Sequence, residues 1–417
     1  MDNPPLLRDP ADSIILPYLR RGSQTESGSQ SNHLHPDGVF TMRHTRRDFI
    51  KTGAAAAGAL AIGLQGCAKG EKPLRILVLG GTGFIGPHMV RRARERGHTI
   101  TLFNRGKSND DLFPDLETLL GDRDGKLDAL KGHQWDAVID TSGYVPRHVR
   151  DSANLLKGAA TQYLFISSVS AYAKLDVPGV TEEAPGGTLT DPTVEEITGE
   201  TYGPLKVLCE KAVQEAFPTG AIIVRPGYIV GPGDNTDRWT YWPVRIAAGG
   251  EVLAPGEPAY PMEIIDARDL ARFVVHLIEQ RTTGTFNAVG PAQPLPMSEV
   301  LDRLKAVTAS TATFTWVDAA WLEQQKAQFP IWNGPTGAYA QVHTVSNARS
   351  VAAGLTYRPF EETARETLEW WNALPEERRN GMRSGLRQPP PLAAETASMA
   401  QQMEAEAKLL TAWKARR

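Results

Sequence analysis

Tyr202 and Lys206 stand four residues apart in Tyr-Gly-Pro-Leu-Lys, and a helix over this stretch sets both side chains on one face. A phenol beside an ammonium is a device for moving a proton, because a neighbouring cation favours phenolate and draws the tyrosine pKa towards a working range. Upstream, the apolar run 163–166 ends in Ser167-Ser168, and a serine hydroxyl at a strand end can hydrogen-bond a substrate oxygen. Ser168, Tyr202 and Lys206 together suit hydride transfer to or from a carbinol carbon. Cys209, almost one turn beyond Lys206, reads as helix packing rather than a nucleophile.

These side chains need a scaffold, and the chain supplies one before them. Residues 74–79 form an apolar, β-branched run typical of a buried parallel strand. It enters Gly80-Gly81-Thr82-Gly83-Phe84-Ile85-Gly86 and then a helical segment over 87–96. In this G-x-x-G-x-x-G spacing Gly80 permits a tight turn, Gly83 lets backbone approach a pyrophosphate, and Gly86 allows close helix–strand packing. The helix N-terminus then faces the phosphates. A second strand over 98–103 ends at Asn104-Arg105-Gly106, where an NAD site usually has an acidic residue on the ribose. Asn104 lacks that charge and Arg105 can pair with a 2′-phosphate, so the reading leans to NADP over NAD. Asp122 and Arg123 follow a third strand, within reach of an adenine. A fourth strand over 135–140 leads to Thr141, Ser142, Gly143 and Tyr144, near the ribose and nicotinamide. The predicted fold is α/β, a Rossmann-type doubly wound parallel sheet with a smaller C-terminal substrate-binding lobe.

At this point the ordered motifs resemble the extended short-chain dehydrogenase/reductase family, the NAD-dependent epimerase/dehydratases. The carriers are the glycine loop, Ser167-Ser168 before Tyr172, and Tyr202-x-x-x-Lys206. Arg225-Pro226 through Gly231-Pro232 is similar to the family's R-P-x-x-x-x-G-P segment, and 264–270 resembles its D-x-x-D-L element. The resemblance spans 74–374. It implies Ser168 rather than Ser167 as the catalytic hydroxyl, Tyr202 as acid–base, and Lys206 as the cation that tunes Tyr202 and binds the cofactor ribose. Dehydratases of the family place Asp-Glu after the catalytic hydroxyl; Val169-Ser170 stands here, which disfavours dehydration. The family builds its substrate pocket near the cluster Arg238, Trp239, Tyr241, Trp242 and Arg245. Aromatic faces and guanidinium groups suit a sugar ring or a phosphate; the alternative is that these aromatics cover an interlobe core. Stretches 316–318, 329–332 and 358–360 resemble a subgroup with nucleotide-sugar epimerase-like proteins and chloroplast stem-loop RNA-binding proteins. Some of those lack the catalytic triad, which this chain keeps.

Composition narrows the classes. With 45 basic against 48 acidic residues and a net charge of −3, the chain lacks the basic excess of a nucleic-acid binder. The cluster Arg91, Arg92, Arg94 and Arg96 reads as a solvated helix face. Two cysteines give no disulfide framework, and neither H-E-x-x-H nor a Cys/His cluster suggests a metal. G-x-S-x-G of hydrolases is absent too.

Residues 1–41 include the polar run 23–32 and read as disordered, ahead of a true start at Met42. Arg46-Arg47 in Thr-Arg-Arg-Asp-Phe-Ile-Lys, then a short apolar stretch, resembles a twin-arginine export signal, and Leu64-Gln65-Gly66-Cys67 resembles a lipobox. The expected organisation is a leader (1–41), a signal (42–67), a nucleotide domain (73–233), a substrate lobe (234–374) and a helical tail (375–417). The expected place is the periplasm or a lipid anchor on the envelope, membrane contact being confined to the signal or lipid. Three functional readings follow: a redox-neutral sugar epimerase acting on a carbohydrate or sugar nucleotide, an exported carbohydrate oxidoreductase with tightly held NADP, and a nucleotide- or RNA-binding scaffold without turnover. A homodimer is compatible with each.

Overall fold

The computed structural model describes residues 72–387 and 396–416. The leader, the signal with its lipobox and the Pro-rich stretch 388–391 lie outside the described residues.

Seven strands form one sheet: β1 (Arg75–Leu79), β2 (Thr99–Asn104), β3 (Glu117–Leu120), β4 (Ala137–Asp140), β5 (Gln162–Ile166), β6 (Ala221–Pro226) and β7 (Gly284–Ala288). Their order is β7-β6-β5-β4-β1-β2-β3, and every neighbouring pair is parallel. Period-two alternation explains the two layers of helices. Ile76 and Val78 of β1 pack on one face with α1 (Gly86–Glu95) and α5 (Ala267–Glu279). Leu77 and Leu79 face the other way, onto α2 (Pro146–Leu156) and α3 (Tyr202–Ala216). Strands buried on both faces are apolar throughout, as Ile-Leu-Val-Leu in β1 is. Sheet order reverses between β1 and β4, so the loops leaving these two strands diverge and open a crevice.

A further core gathers α4 (Tyr241–Ala247), α6 (Met297–Val307), α7 (Phe360–Ala373) and α8 (Met399–Lys414) around the strand pair Glu251–Pro255 and Thr313–Val317. The tail helix α8 is held there by Leu409 and Leu410, and begins with a capping box in which Ser398 and Gln401 bond each other's backbone. On α1 and its C-terminal cap, Arg92 pairs with Glu95, Arg94 with Asp115 and Arg96 with Glu279, while Arg91 lies over the Phe113 ring. Much of the basic face is therefore neutralised by protein carboxylates. Among the described residues no helix is long and apolar enough to cross a membrane.

Candidate active site

A cavity of about 980 Å³ runs along the C-terminal ends of the strands, from the glycine loop past Ser168 and Tyr202 to residues of the tail. At the nucleotide end, Gly80 has φ +103°, and a Cβ on it would stand 2.4 Å from Thr141 Oγ1. A Cβ on Gly86 would lie 2.6 Å from the Gly81 Cα, so α1 approaches the loop as closely as backbone allows. Gly83 lines the cavity, and a Cβ there would meet nothing within 4 Å. The loop thus presents bare backbone to open space at the start of α1, with Thr82, Phe84 and Ile85 around it. These residues fit a dinucleotide's pyrophosphate. Asn104, Arg105, Lys107, Asp122, Thr141 and Ser142 complete this end. The Asn104 side chain accepts from the Gly106 amide at 2.8 Å, closing its own turn.

Arg123 reaches the cavity wall but is committed to the core. It donates to Asp140 at 2.6 Å and to Ser152 at 2.7 Å, and Tyr163 donates to the other Asp140 oxygen at 2.7 Å. The expected contact of its guanidinium with adenine is therefore corrected: the group holds the floor of the site. A buried arginine needs a carboxylate, and Asp140 at the end of β4 is the nearest one.

Ser167 and Ser168 leave β5 with opposite duties. Ser167 is buried and donates to Glu210 at 2.5 Å; Glu210 also receives Arg225 in a two-pronged pair, at 2.9 and 2.6 Å. That network ties the end of β5, α3 and β6 together. Ser168 lines the cavity, accepts from the Ser170 amide at 3.0 Å and favours the phenolate of the neighbouring Tyr202. Of the residues after it, Val169 is buried and Ser170 faces the cavity, so neither brings a carboxylate to Ser168.

Lys206 departs from its expected arrangement. It shares the α3 face with Tyr202, yet its ammonium donates to the Gly143 and Ile166 carbonyls, at 2.7 Å each, above the rings of Phe165 and Tyr144. Burial pushes Lys206 down to about 8. Tyr202 is raised by desolvation, and what opposes the rise is the Ser168 hydrogen bond followed by the positive charge of Arg238. The cation drawing Tyr202 down is Arg238, on the substrate side. Cys209 is free and buried in the core, its thiol pushed up to about 12 by desolvation.

At the substrate end only Arg238 of the four expected residues lines the cavity. Trp239 and Tyr241 are fully buried, Trp239 edge-on to Phe360 and Tyr241 against Trp242. Arg245 donates to Glu406 at 2.5 Å and to the Gly249 and Glu251 carbonyls. The expectation that these three touch substrate is corrected, because the segment folds into α4 with its apolar face against α6 and α7. The alternative core reading describes them. In their place the cavity receives Tyr228, Thr236, Trp370, Arg383, Ser384 and Arg387. Sequence reasoning missed these, since Arg383 meets the Asn235 carbonyl across 148 positions and no local pattern signals that. Among the described residues no group of three or more His, Cys, Asp or Glu side chains is placed to hold a metal.

Fold and site together define a nicotinamide-nucleotide enzyme built on a doubly wound sheet. Residues 76–289 match the NAD-dependent epimerase/dehydratase family, and the chain belongs to it. It is 25% identical over 272 residues to the 2′-dehydrokanamycin reductase of Streptomyces kanamyceticus, covering 62% of this chain and 74% of that one. It is 28% identical over 244 residues to the chloroplast stem-loop binding protein of 41 kDa b of Arabidopsis thaliana, covering 54% of this chain and 60% of that protein. The fold is shared with the Bordetella bronchiseptica enzyme WbmG, solved with NAD and UDP, at a TM-score of 0.55 and 15% identity, over 73% of this chain and 96% of that one.

Proposed function

We propose that the chain is a redox-neutral, sugar epimerase-like enzyme that takes hydride from a carbinol carbon and returns it through a keto intermediate. The observation that carries this reading is that Ser168, Tyr202 and the bare glycine loop line one cavity, with Ser168 favouring the Tyr202 phenolate. The loop and the start of α1 would hold the pyrophosphate, Asp122 the adenine, and Thr141 and Ser142 the ribose. Asn104 brings no carboxylate, and Arg105 with Lys107 favours NADP over NAD. When bound, the nicotinamide supplies the hydride acceptor and donor.

Ser168 hydrogen-bonds the reacting oxygen and fixes it against Tyr202. Burial keeps Tyr202 protonated, ready to donate as the keto oxygen is reduced. In the opposite half-reaction Arg238 helps Tyr202 to take the hydroxyl proton. Lys206 braces the loop after β4 against the end of β5 through its two carbonyls, so the wall beside Tyr202 keeps its shape.

The likeness to a reductase supports a second reading, an oxidoreductase with tightly held NADP recycled by a second carbohydrate. We further propose export by the twin-arginine route, with Cys67 lipidated, the cofactor being loaded before crossing.

Denaturing the purified chain and identifying any released nucleotide by mass spectrometry tests the cofactor. Replacing Tyr202 by Phe lowers turnover by roughly 10²–10⁴-fold while nucleotide stays bound. Unchanged turnover in that variant removes Tyr202 from the mechanism. Conversion of one carbohydrate into its epimer with no second carbohydrate present supports the epimerase; turnover that needs a second carbohydrate and yields one oxidised and one reduced product supports the oxidoreductase.

A further inference from the structure

Two loops far apart in sequence border the nucleotide end of the cavity. One is the turn 122–126, closed by a reciprocal pair of backbone hydrogen bonds between Asp122 and Lys126. The other, 188–201, follows Gly187 and delivers the chain to Tyr202 at the start of α3. The first lines the cavity through Asp122 and Arg123, the second through Ile197. Val145 and His148, at the start of α2, line it too.

Arg147, in the first turn of α2, holds both loops. Its Nη1 donates to Asp124 at 2.8 Å, while Nε and Nη2 donate to the two Glu195 oxygens at 2.8 and 3.0 Å. The second contact is the two-pronged form in which a planar guanidinium matches a carboxylate. Hydrogen bonding to Arg147 holds both carboxyls below their ordinary range. The long loop has few other ties. Asp191 accepts from Thr193 and Val194, and Thr201 donates to the Glu196 carbonyl, so these contacts only curl the loop on itself. Among the described residues, the hydrogen bonds and ion pairs of 188–197 all stay inside the loop except those between Glu195 and Arg147. That pair is therefore the polar anchor of the stretch that brings Ile197 to the cavity wall.

We infer that Arg147 is a positioning residue of the nucleotide site: by clasping Asp124 and Glu195 it draws the Ile197 loop and the Asp122 turn together, and the closed clasp retains the bound dinucleotide. Arg147 does not itself line the cavity, so it acts through these neighbours. The clasp must open before a bound dinucleotide leaves, and opening breaks three charge-assisted hydrogen bonds. Its effect therefore falls on departure more than on entry, where most affinity differences between variants reside. The Arg147 side chain is 37% exposed, that of Glu195 42% and that of Asp124 65%, so solvent screens both pairs and the effect is modest. The inference rests on the nucleotide site and not on the reaction proposed at Tyr202, although a cofactor kept through repeated turnovers serves either reaction.

The test is a displacement measurement on the full chain. Protein loaded with NADPH is mixed with a large excess of NADP, and the loss of bound NADPH fluorescence gives the off-rate; NADH and NAD are run in parallel. Arg147→Ala releases nucleotide about tenfold faster than wild type and Glu195→Gln about threefold faster, while on-rates stay within about twofold. Combining the two changes releases nucleotide no faster than Arg147→Ala alone, because both remove the same contact. At about 1 M salt the wild type approaches the variants, the pairs being screened. Nucleotide-free wild type and variants melt together, which separates retention from folding. Glu195 lies on an exposed loop, so its variant keeps the test readable where Arg147→Ala folds poorly. Off-rates equal to wild type in both variants overturn the clasp, as does faster release that is equally large at high salt. A lowered on-rate with an unchanged off-rate places Arg147 in capture rather than retention and overturns it as well. A chain that takes up neither nucleotide overturns the clasp together with the site.

Discussion

The two ends of the cavity are made by different means. The nucleotide end is assembled from consecutive strand-to-helix junctions of one parallel sheet, and its buried arginine, Arg123, is closed off by Asp140 and Ser152 beneath the surface. The substrate end draws on the loop around Asp237, on α7 and on the tail, which bring Arg238, Trp370, Arg383 and Arg387 to the cavity wall. One end is a property of the sheet, the other of chain segments brought from far away. Chemistry and cofactor can therefore stay fixed while the tail alters what is bound.

That separation is broken most severely at Glu406. This buried carboxylate on α8 receives Arg245 and the Leu253 amide, at 2.5 and 2.7 Å, and pins the tail helix to α4 and the strand Glu251–Pro255. Glu406→Ala leaves Arg245 buried without its partner and costs about 3–5 kcal/mol, measured by denaturant unfolding. Substrate KM rises in the folded fraction while nucleotide affinity holds. A matching loss of nucleotide affinity would join the two ends into one unit.

Lys206 gives the next effect and belongs to the boundary between the ends. Its folded pKa of about 8 lies below the ordinary lysine value of 10.5, so between these values the unfolded chain binds more protons than the folded one. Stability therefore rises with pH across that window, by roughly 3 kcal/mol if the shift is fully expressed. Below about 8 the cost of burying the charge is constant. Lys206→Met abolishes the rise, and chemical unfolding of both proteins from pH 7 to 10.5 reads the difference. Parallel pH curves for the two would mean that Lys206 keeps its proton on burial.

The same contrast explains what could be read in the sequence. Strand β1, the Gly80–Gly86 loop and the gathering of Ser168, Tyr202 and Lys206 in one cavity wall are legible because turn chemistry, strand ends and helix spacing act over a few residues, whereas the carbonyl partners of Lys206 are not. Glu210 completes the brace at Ser167, yet as an acidic residue on a long helix it resembles any solvated position until Arg225 is placed beside it. Trp239, Tyr241 and Arg245 misled because an aromatic and basic cluster has the same composition in a pocket as in a core. Only the packing of α4 decides between them. Arg383 and Arg387 carry no local signal at all, their place in the cavity wall being set by contacts with Asn235, Asp237 and Gln328.

The smallest effect sharpens the nucleotide end itself. Asn104 spends its side-chain oxygen on the Gly106 amide, and Arg105 beside it is exposed at the cavity rim with Lys107. A 2′-phosphate there meets cations, whereas the unmodified ribose of NAD meets no carboxylate from β2. Because Arg105 is solvated, its pull on a phosphate is screened and contributes about 1 kcal/mol. Arg105→Ala accordingly weakens NADP binding by about fivefold, leaves NAD within error, and loses most of its effect at high salt. Fluorescence titration of both nucleotides into the wild type and the variant measures the ratio. An equal loss for both would place Arg105 on the shared pyrophosphate instead, and the preference for NADP would then need another source at this end of the cavity.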